Sequence, residues 1–461
     1  MRLRETYRCH APAGARPWVI RMTILSTLLA ASAGHAALFD APAPYGVDGP
    51  SVRVVTTDLD AANGPDLVAG SEAGEEGPSL SILRNDGTGR FGAATRLVVD
   101  PDRFLLHDIA ASDFDGSGRG DVAVAADDLS LFPTRTVVLV YLNDGSGGFR
   151  APAEYELAGL FPDCIEAADA TNDAVLDILV CHSDPDKGAG RVTLLPGVKK
   201  GDNATGQFGT PSNIAVGTSP ANVRVVDLDG DGAADLLVGD SAQGQVFVLY
   251  GTGGGQFGPP TPLADVPAPS AIRTRPGAAA TRPDVLISSV LDTGVAVLVQ
   301  TGPRRFAPPT RLPTDQPASD MAAADVNGDG VTDLALPAPT GGTLAVWLGI
   351  ADGTLEPIDA VSVDEGANSI AAADFNGDGR ADLATASLVT DRIVVATSRA
   401  GTPIPAGPGD ANCDGRIDRS DIDALLARLF AAGCAGADAN DDGAVSAADL
   451  PRMIKVPSQA K

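Results

Sequence analysis

Beyond residue 39 the chain is built from short apolar runs separated by polar, glycine-rich stretches, always in the same order. One unit opens with Ile370-Ala371-Ala372-Ala373, passes through an acidic stretch and resumes as Asp382-Leu383-Ala384-Thr385-Ala386. A third run is β-branched and aromatic, as in Val246-Phe247-Val248-Leu249-Tyr250. A glycine-rich turn then leads to a Phe-Gly pair or a near match, and to a fourth run. Runs this short, bounded by Gly, Asn and Asp, predict strands. Asn143-Asp144-Gly145 is a strong hairpin signal in that turn. The units recur every 49 to 59 residues, a period that points to an array or a propeller.

The acidic stretch between the first two runs has a fixed form. In 374–382 oxygen-bearing side chains stand at positions 1, 3, 5 and 9 (Asp374, Asn376, Asp378, Asp382), with glycine at 4 and 6. Asp325, Asn327, Asp329 and Asp333 repeat it, as do Asp227, Asp229, Asp231 and Asp235. Weaker copies are Asp169, Thr171, Asp173 and Asp177, then Asp113, Asp115, Ser117 and Asp121, then Asp58, Asp60 and Asp66, where Ala62 takes position 5. Oxygens on alternating positions, with Gly where the backbone turns sharply, suit a hard cation such as Ca²⁺. Two carboxylates ~4 Å apart repel by roughly 1 kcal/mol in water and about 4 kcal/mol at a protein surface, so a cation is expected to offset them.

Six such loops leave a double-length gap between Asp227 and Asp325. A degenerate unit fills it, with Pro283-Asp284-Val285-Leu286-Ile287 as its second strand and only Asp284 kept from the loop. The aromatic marker also recurs seven times, at Phe39, Phe91, Phe149, Phe208, Phe257, Phe306 and Leu355. The first marker precedes the first loop, and the last loop has no marker after it. This offset predicts that the strand near 39–45 completes the blade begun near Ser369, closing a ring of seven four-stranded blades and removing an exposed edge.

The units resemble FG-GAP repeats, the blades of the integrin α-subunit N-terminal propeller and of many exported bacterial proteins. Phe91-Gly92-Ala93-Ala94, Phe208-Gly209-Thr210-Pro211 and Phe257-Gly258-Pro259-Pro260 carry the naming motif, and the acidic loops match the family's calcium motif. The resemblance implies an all-β, seven-bladed propeller over 37–400. It says little of function, because one fold hosts many functions.

A Pro/Gly-rich spacer, 401–409, leads to a second module at 410–455. Asp410, Asn412, Asp414, Arg416, Asp418 and Asp421 fall at positions 1, 3, 5, 7, 9 and 12 of an EF-hand-type loop, the seventh contributing its carbonyl. Asp438, Asn440, Asp442, Ala444, Ser446 and Asp449 repeat it. Ile422, Leu425, Leu426, Leu429 and Phe430 form one apolar helical face after the first loop. The pair resembles a type I dockerin, a small α-helical calcium module whose family partner is a cohesin on a polysaccharide-degrading scaffold. The family's recognition pairs are here Arg419-Ser420 and Ala447-Ala448, which differ from each other. A calcium-stabilised cap without a cohesin partner is the alternative reading.

The net charge is −27, which argues against a nucleic-acid partner. The N-terminus reads as an export signal over 1–36. Arg16 and Arg21 flank an apolar core at 22–33 that is too short to span a bilayer, and Gly34-His35-Ala36 ends it. No other segment reads as a membrane span. Export to a secreted, periplasmic or cell-surface location favours disulfides. Cys9 lies in the leader, and the other cysteines suggest Cys413–Cys434, with two separate thiols as the alternative, and Cys164–Cys181. The latter follows from register: if the loop 169–177 closes a hairpin, Cys164 and Cys181 lie opposite or one step off.

No G-x-S-x-G, H-E-x-x-H or P-loop is present, and His107-Asp108 reads as a surface strand pair. The first reading is therefore an exported, non-catalytic calcium-binding protein with an extracellular protein or glycan ligand. The second is a polysaccharide-degrading enzyme or accessory subunit delivered by the dockerin-like module. The abundant carboxylates keep acid/base hydrolysis open.

Overall fold

The computed structural model describes residues 38–399 apart from 75–76, 131–133, 158–159, 185–187, 278–281, 351–352 and 359. The export signal, the spacer, both loops of the dockerin-like module and the Cys413–Cys434 bridge lie outside the described residues.

Among the described residues seven antiparallel blade sheets follow one another along the chain, with three two-stranded ribbons besides, and no helix occurs. Blade one is Ser51–Thr57, Asp66–Gly74, Gly77–Leu83 and Thr95–Val98, paired in that order. The other blades repeat it. In blade six the outer strand is split into Leu355–Pro357 and Val361–Ser362, both paired with Thr343–Gly349. The degenerate unit is blade five, built on Pro269–Pro276 and Pro283–Ser289.

The ring closes as the marker offset predicts. Blade seven takes its outer strand, Ala43–Gly46, from the N-terminal end, with Tyr45 opposite Ile393 and a further bridge from Phe39 to Ser398. First strands of successive blades touch around the ring, and blade seven returns to blade one.

The core lies between blades. Seven apolar clusters each join one pair of neighbours, such as Val68 and Leu80 of blade one with Ile109 and Val124 of blade two. Second strands are covered on both faces, so Asp121–Asp128 and Asp235–Asp240 are buried throughout, with unbroken apolar runs at 122–126 and 236–239. Close to the axis, polar side chains of one blade accept main-chain N–H groups of the next. Asp108 accepts from Ile165, Asn222 from Ile272, Asp320 from Ile370 and Ser369 from Val54. Unpaired amides on an inner edge would be costly to bury, and these contacts satisfy them.

The register expected in blade three is present. Ala168 faces Asp177, and Cys164 directly faces Cys181 with Cα atoms 5.1 Å apart in a disulfide.

Candidate metal centres

Each acidic loop joins the first two strands of its blade and is held by its own carboxylates. The position-1 aspartate wraps the turn: Asp227 accepts from Gly230 N at 2.8 Å and Gly232 N at 3.0 Å, and Asp325 and Asp374 do the same with their two glycines. Asp113 and Asp169 accept equivalent amides, from Ser117 and Gly118 and from Asp173 and Ala174. At position 5, Asp173, Asp231, Asp329 and Asp378 each accept the amide two residues on. Positions 4 and 6 are left-handed, as in Gly230 (φ 79°) and Gly232 (φ 88°), a conformation that glycine adopts without strain. In blade three Asn172 (φ 58°) and Ala174 (φ 67°) take the same shape, so the turn forms there without glycine.

Position 9 does more than the spacing suggests. Asp235 is fully buried; its Oδ2 accepts from Leu228 N at 2.9 Å, at position 2 of the loop, and its Oδ1 from Gly251 N at 2.7 Å, just beyond the third strand. Asp66, Asp121, Asp177, Asp333 and Asp382 make the same two bonds. This aspartate ties loop, second strand and third strand together. Each carboxylate oxygen has two acceptor sites, so a bond to an amide still leaves room for a cation.

The loops are also pinned to the next blade. Phe375 at position 2 packs edge-on against the marker Phe91 with centroids 5.2 Å apart, and Phe114 against Phe208 at 5.6 Å. The carbonyls of Phe375, Leu59 and Leu228, all at position 2, accept from the side-chain amides of Asn85, Asn143 and Gln300, each 2.8 Å away. Arg119 and Arg380, both at position 7, reach the position-3 carbonyls of the preceding loops, Asp60 and Asn327.

Among the described residues, three loops gather carboxylate oxygens from positions 1, 3 and 9 within 4.8 Å of one another: Asp58, Asp60 and Asp66; Asp113, Asp115 and Asp121; and Asp227, Asp229 and Asp235. The first set belongs to the loop whose sequence departs most from the pattern. Three hard oxygens converging on one point fit a divalent cation. In blade three, Thr171 Oγ1 at position 3 is buried with no hydrogen-bond partner, which also fits a ligand atom. Asn327 and Asn376, at position 3 in blades six and seven, each accept the position-5 amide at 2.9 Å, and Asn327 also donates to Asp329 Oδ2 at 3.0 Å.

Electrostatics point the same way. Burial, opposed by the two amide bonds and helped by the neighbouring carboxylates, lifts Asp333 to about 7 and Asp121 and Asp235 to about 6. Burial likewise lifts Asp382 to about 6, and it raises Asp66 and Asp177. The folded chain thus resists ionising these groups unless positive charge is supplied.

Arginines supply positive charge near the loops: Arg84 Nη1 lies 3.1 Å from the position-9 Asp66 Oδ2, and two more sit beside other carboxylates. Arg304 comes from a turn in blade five; its Nε lies 2.5 Å from Asp229 Oδ2, and its guanidinium sits 4.1 Å over the Tyr250 ring. Arg275 lies beside Asp284 in the blade whose loop is lost. His107 lies in a strand and is part-exposed, as read, but Asp108 is buried. His107 pairs with Asp127 at 3.1 Å, while Asp108 is turned to the amides of Ile109 and Ile165. His182 is fully buried, and burial pushes it down to about 4.

Comparison with known proteins agrees with the repeat reading. Residues 113–180 and 338–385 match the FG-GAP-like repeat, and 318–350 match the FG-GAP repeat. No curated protein matches the chain. Among solved structures, BBS1N in complex with ARL6DN, soaked with lead, is 14% identical with a TM-score of 0.52, covering 78% of this chain and 96% of that one. An Agrocybe aegerita lectin, described for specific recognition of non-reducing terminal N-acetylglucosamine, is 17% identical with a TM-score of 0.50, covering 76% and 96%. At these identities the likeness is one of fold. The chain carries FG-GAP repeats folded as a seven-bladed β-propeller.

Proposed function

We propose that this FG-GAP propeller is an exported, calcium-stabilised, non-catalytic binding protein that engages an extracellular protein or glycan. The observation that carries the calcium part is the convergence of positions 1, 3 and 9 in the loops of blades one, two and four. Asp227, Asp229 and Asp235 would hold one ion, and the corresponding residues of the other loops the rest. The ion would supply positive charge to the buried position-9 carboxylates. Because each loop is bonded to the next blade, ion binding would also stiffen the blade-to-blade joints. Residues 410–455 would form a second calcium module that attaches the propeller, with a cohesin-type partner as the finer form of that reading.

The disulfide between Cys164 and Cys181 supports export, since such bonds persist in oxidising compartments. The test is binding of the full chain to a glycan panel that includes N-acetylglucosamine-terminated glycans, in calcium and in EDTA, with reducing-end release measured alongside. Calcium-dependent retention without release is expected. Release of reducing ends at a catalytic rate overturns the non-catalytic reading. Equal melting temperatures in calcium and EDTA overturn the calcium reading, because an ion at 100 times its Kd adds about 2.7 kcal/mol per site.

A further inference from the structure

The first strands of the blades line an axial cavity of about 360 Å³, within the ~300–1,000 Å³ range of small-molecule sites. Its walls are unlike. At one level of the register stand Glu166, Arg224 and Arg273 from blades three to five, opposite Leu179, Leu237 and Leu286 of their second strands. At the same level in blades two, six and seven stand Ala110, Ala322 and Ala371. Arg53 lines the cavity from blade one. The lining therefore carries three guanidinium groups and one carboxylate, in a chain whose net charge is −27.

The arginines are not equally committed. Arg273 Nη2 is 2.8 Å from Asp320 Oδ1, and Arg53 lies 3.4 Å from Asp320 and 3.6 Å from Asp108. Asp108 and Asp320 also accept main-chain amides, so they hold Arg53 and Arg273 against the wall. Among the described residues Arg224 pairs with Glu166 alone, at 2.7 Å, and its Nε is buried with no partner. Thr56 Oγ1, also in the lining, is buried without a partner. The arginine side chains remain 20–39% exposed, so solvent reaches the site.

We propose that this cavity binds a small organic carboxylate, with Arg224 as its main anchor. A carboxylate matches the planar guanidinium fork of Arg224, whose side chain is 39% exposed. Arg273 would add field. The alanine wall leaves room for an aliphatic body, which an inorganic anion would leave wet. Glu166 competes with the ligand for Arg224.

The test is calorimetry on the full chain with succinate, glutarate and glucuronate, against phosphate and glucose, in calcium and in EDTA. Expected is one-to-one binding of at least one carboxylate, with glucose silent and phosphate at least tenfold weaker. Arg224→Gln should weaken binding tenfold or more. Glu166→Gln should tighten it severalfold, which a purely structural pair would not do. Glu166→Gln keeps Arg224 in place, so it reads the site even if Arg224→Gln fails to fold. Silence with all three carboxylates, phosphate bound as tightly as they are, or Glu166→Gln without effect overturns the proposal. The site lies apart from the acidic loops, so its result stands separately from that of the calcium reading.

Discussion

Arg275 Nε lies 3.6 Å from Asp284 Oδ2 in blade five, both side chains being at most 7% exposed. In the other six blades that Oδ2 accepts a loop amide, from Leu59, Phe114, Ala170, Leu228, Val326 or Phe375. Where the loop has lost its ligands, the arginine directly opposite Asp284 in the hairpin supplies the charge instead. The Oδ1 bond, from Gln300 N at 2.9 Å, is kept.

Removing Arg275 therefore leaves a buried carboxylate half satisfied. Arg275→Met should cost ~3–5 kcal/mol by analogy with other broken buried pairs. Arg275→Met with Asp284→Asn should recover part of that, because the uncompensated charge is gone. Chemical denaturation of the four forms checks it. Strict additivity of the two single losses would show that the two side chains do not act as a pair.

Ala174 gives a second handle. It holds φ 67° where Gly232 holds 88° in blade four. The left-handed conformation costs a residue with a Cβ roughly 1–2 kcal/mol, partly offset by the greater unfolded-state entropy of glycine. Ala174→Gly should raise stability by up to about 1 kcal/mol. Gly232→Ala should lower it by a similar amount, since an added Cβ meets nothing within 4 Å and only the backbone objects. Denaturant midpoints for both variants decide this. A destabilised Ala174→Gly would sink it.

Much of this architecture was legible in the chain. The seven blades and their closure followed from two markers counted out of phase, Phe39 and Asp58 at one end, Leu355 and Asp374 at the other. Cys164 facing Cys181 followed from hairpin register alone. The missed features come from contacts between blades. Spacing assigns the position-9 aspartate the role of a ligand, and its amide bonds appear only once the third strand returns beside it, as Gly251 does to Asp235. Arg304 is remote in sequence from Asp229, and ring geometry brings them together. Glu166, Arg224 and Arg273 share a wall only because three blades stand side by side.

The buried position-9 carboxylates set a pH dependence with a definite sign. Burial lifts Asp333 from 3.8 to about 7, and Asp121, Asp235 and Asp382 from 3.8 to about 6. Without a cation the folded chain keeps protons that the unfolded chain releases. The stability from these groups is full below the unfolded value and is lost as pH rises through about 6 to 7. In EDTA the melting temperature should fall between about pH 5 and pH 7.5. With calcium the trend should reverse, because the ion requires ionised ligands. Thermal scans across that range, with and without calcium, test both halves. An EDTA curve that rises with pH contradicts the first.

The disulfide lies beside a loop that turns without glycine. Cys164 and Cys181 are separated by 17 residues and bracket the 169–177 loop, which lacks glycine at both left-handed positions. Closing a loop of this size removes unfolded-state freedom worth about 3 kcal/mol in the chain-entropy model. The Cys164→Ser, Cys181→Ser double variant should therefore lose about that much stability, with little change at the Asp227 loop. Both cysteines are buried, so the serines also place hydroxyls in an apolar cluster with Leu179, Val192 and Val223. A Cys164→Ala, Cys181→Ala double variant separates the two causes: it keeps the loss due to the crosslink and avoids the buried hydroxyls. If the alanine form melts with the native protein in calcium, the crosslink contributes no stability there. If it melts lower in calcium and in EDTA alike, the bridge holds this hairpin independently of the ion.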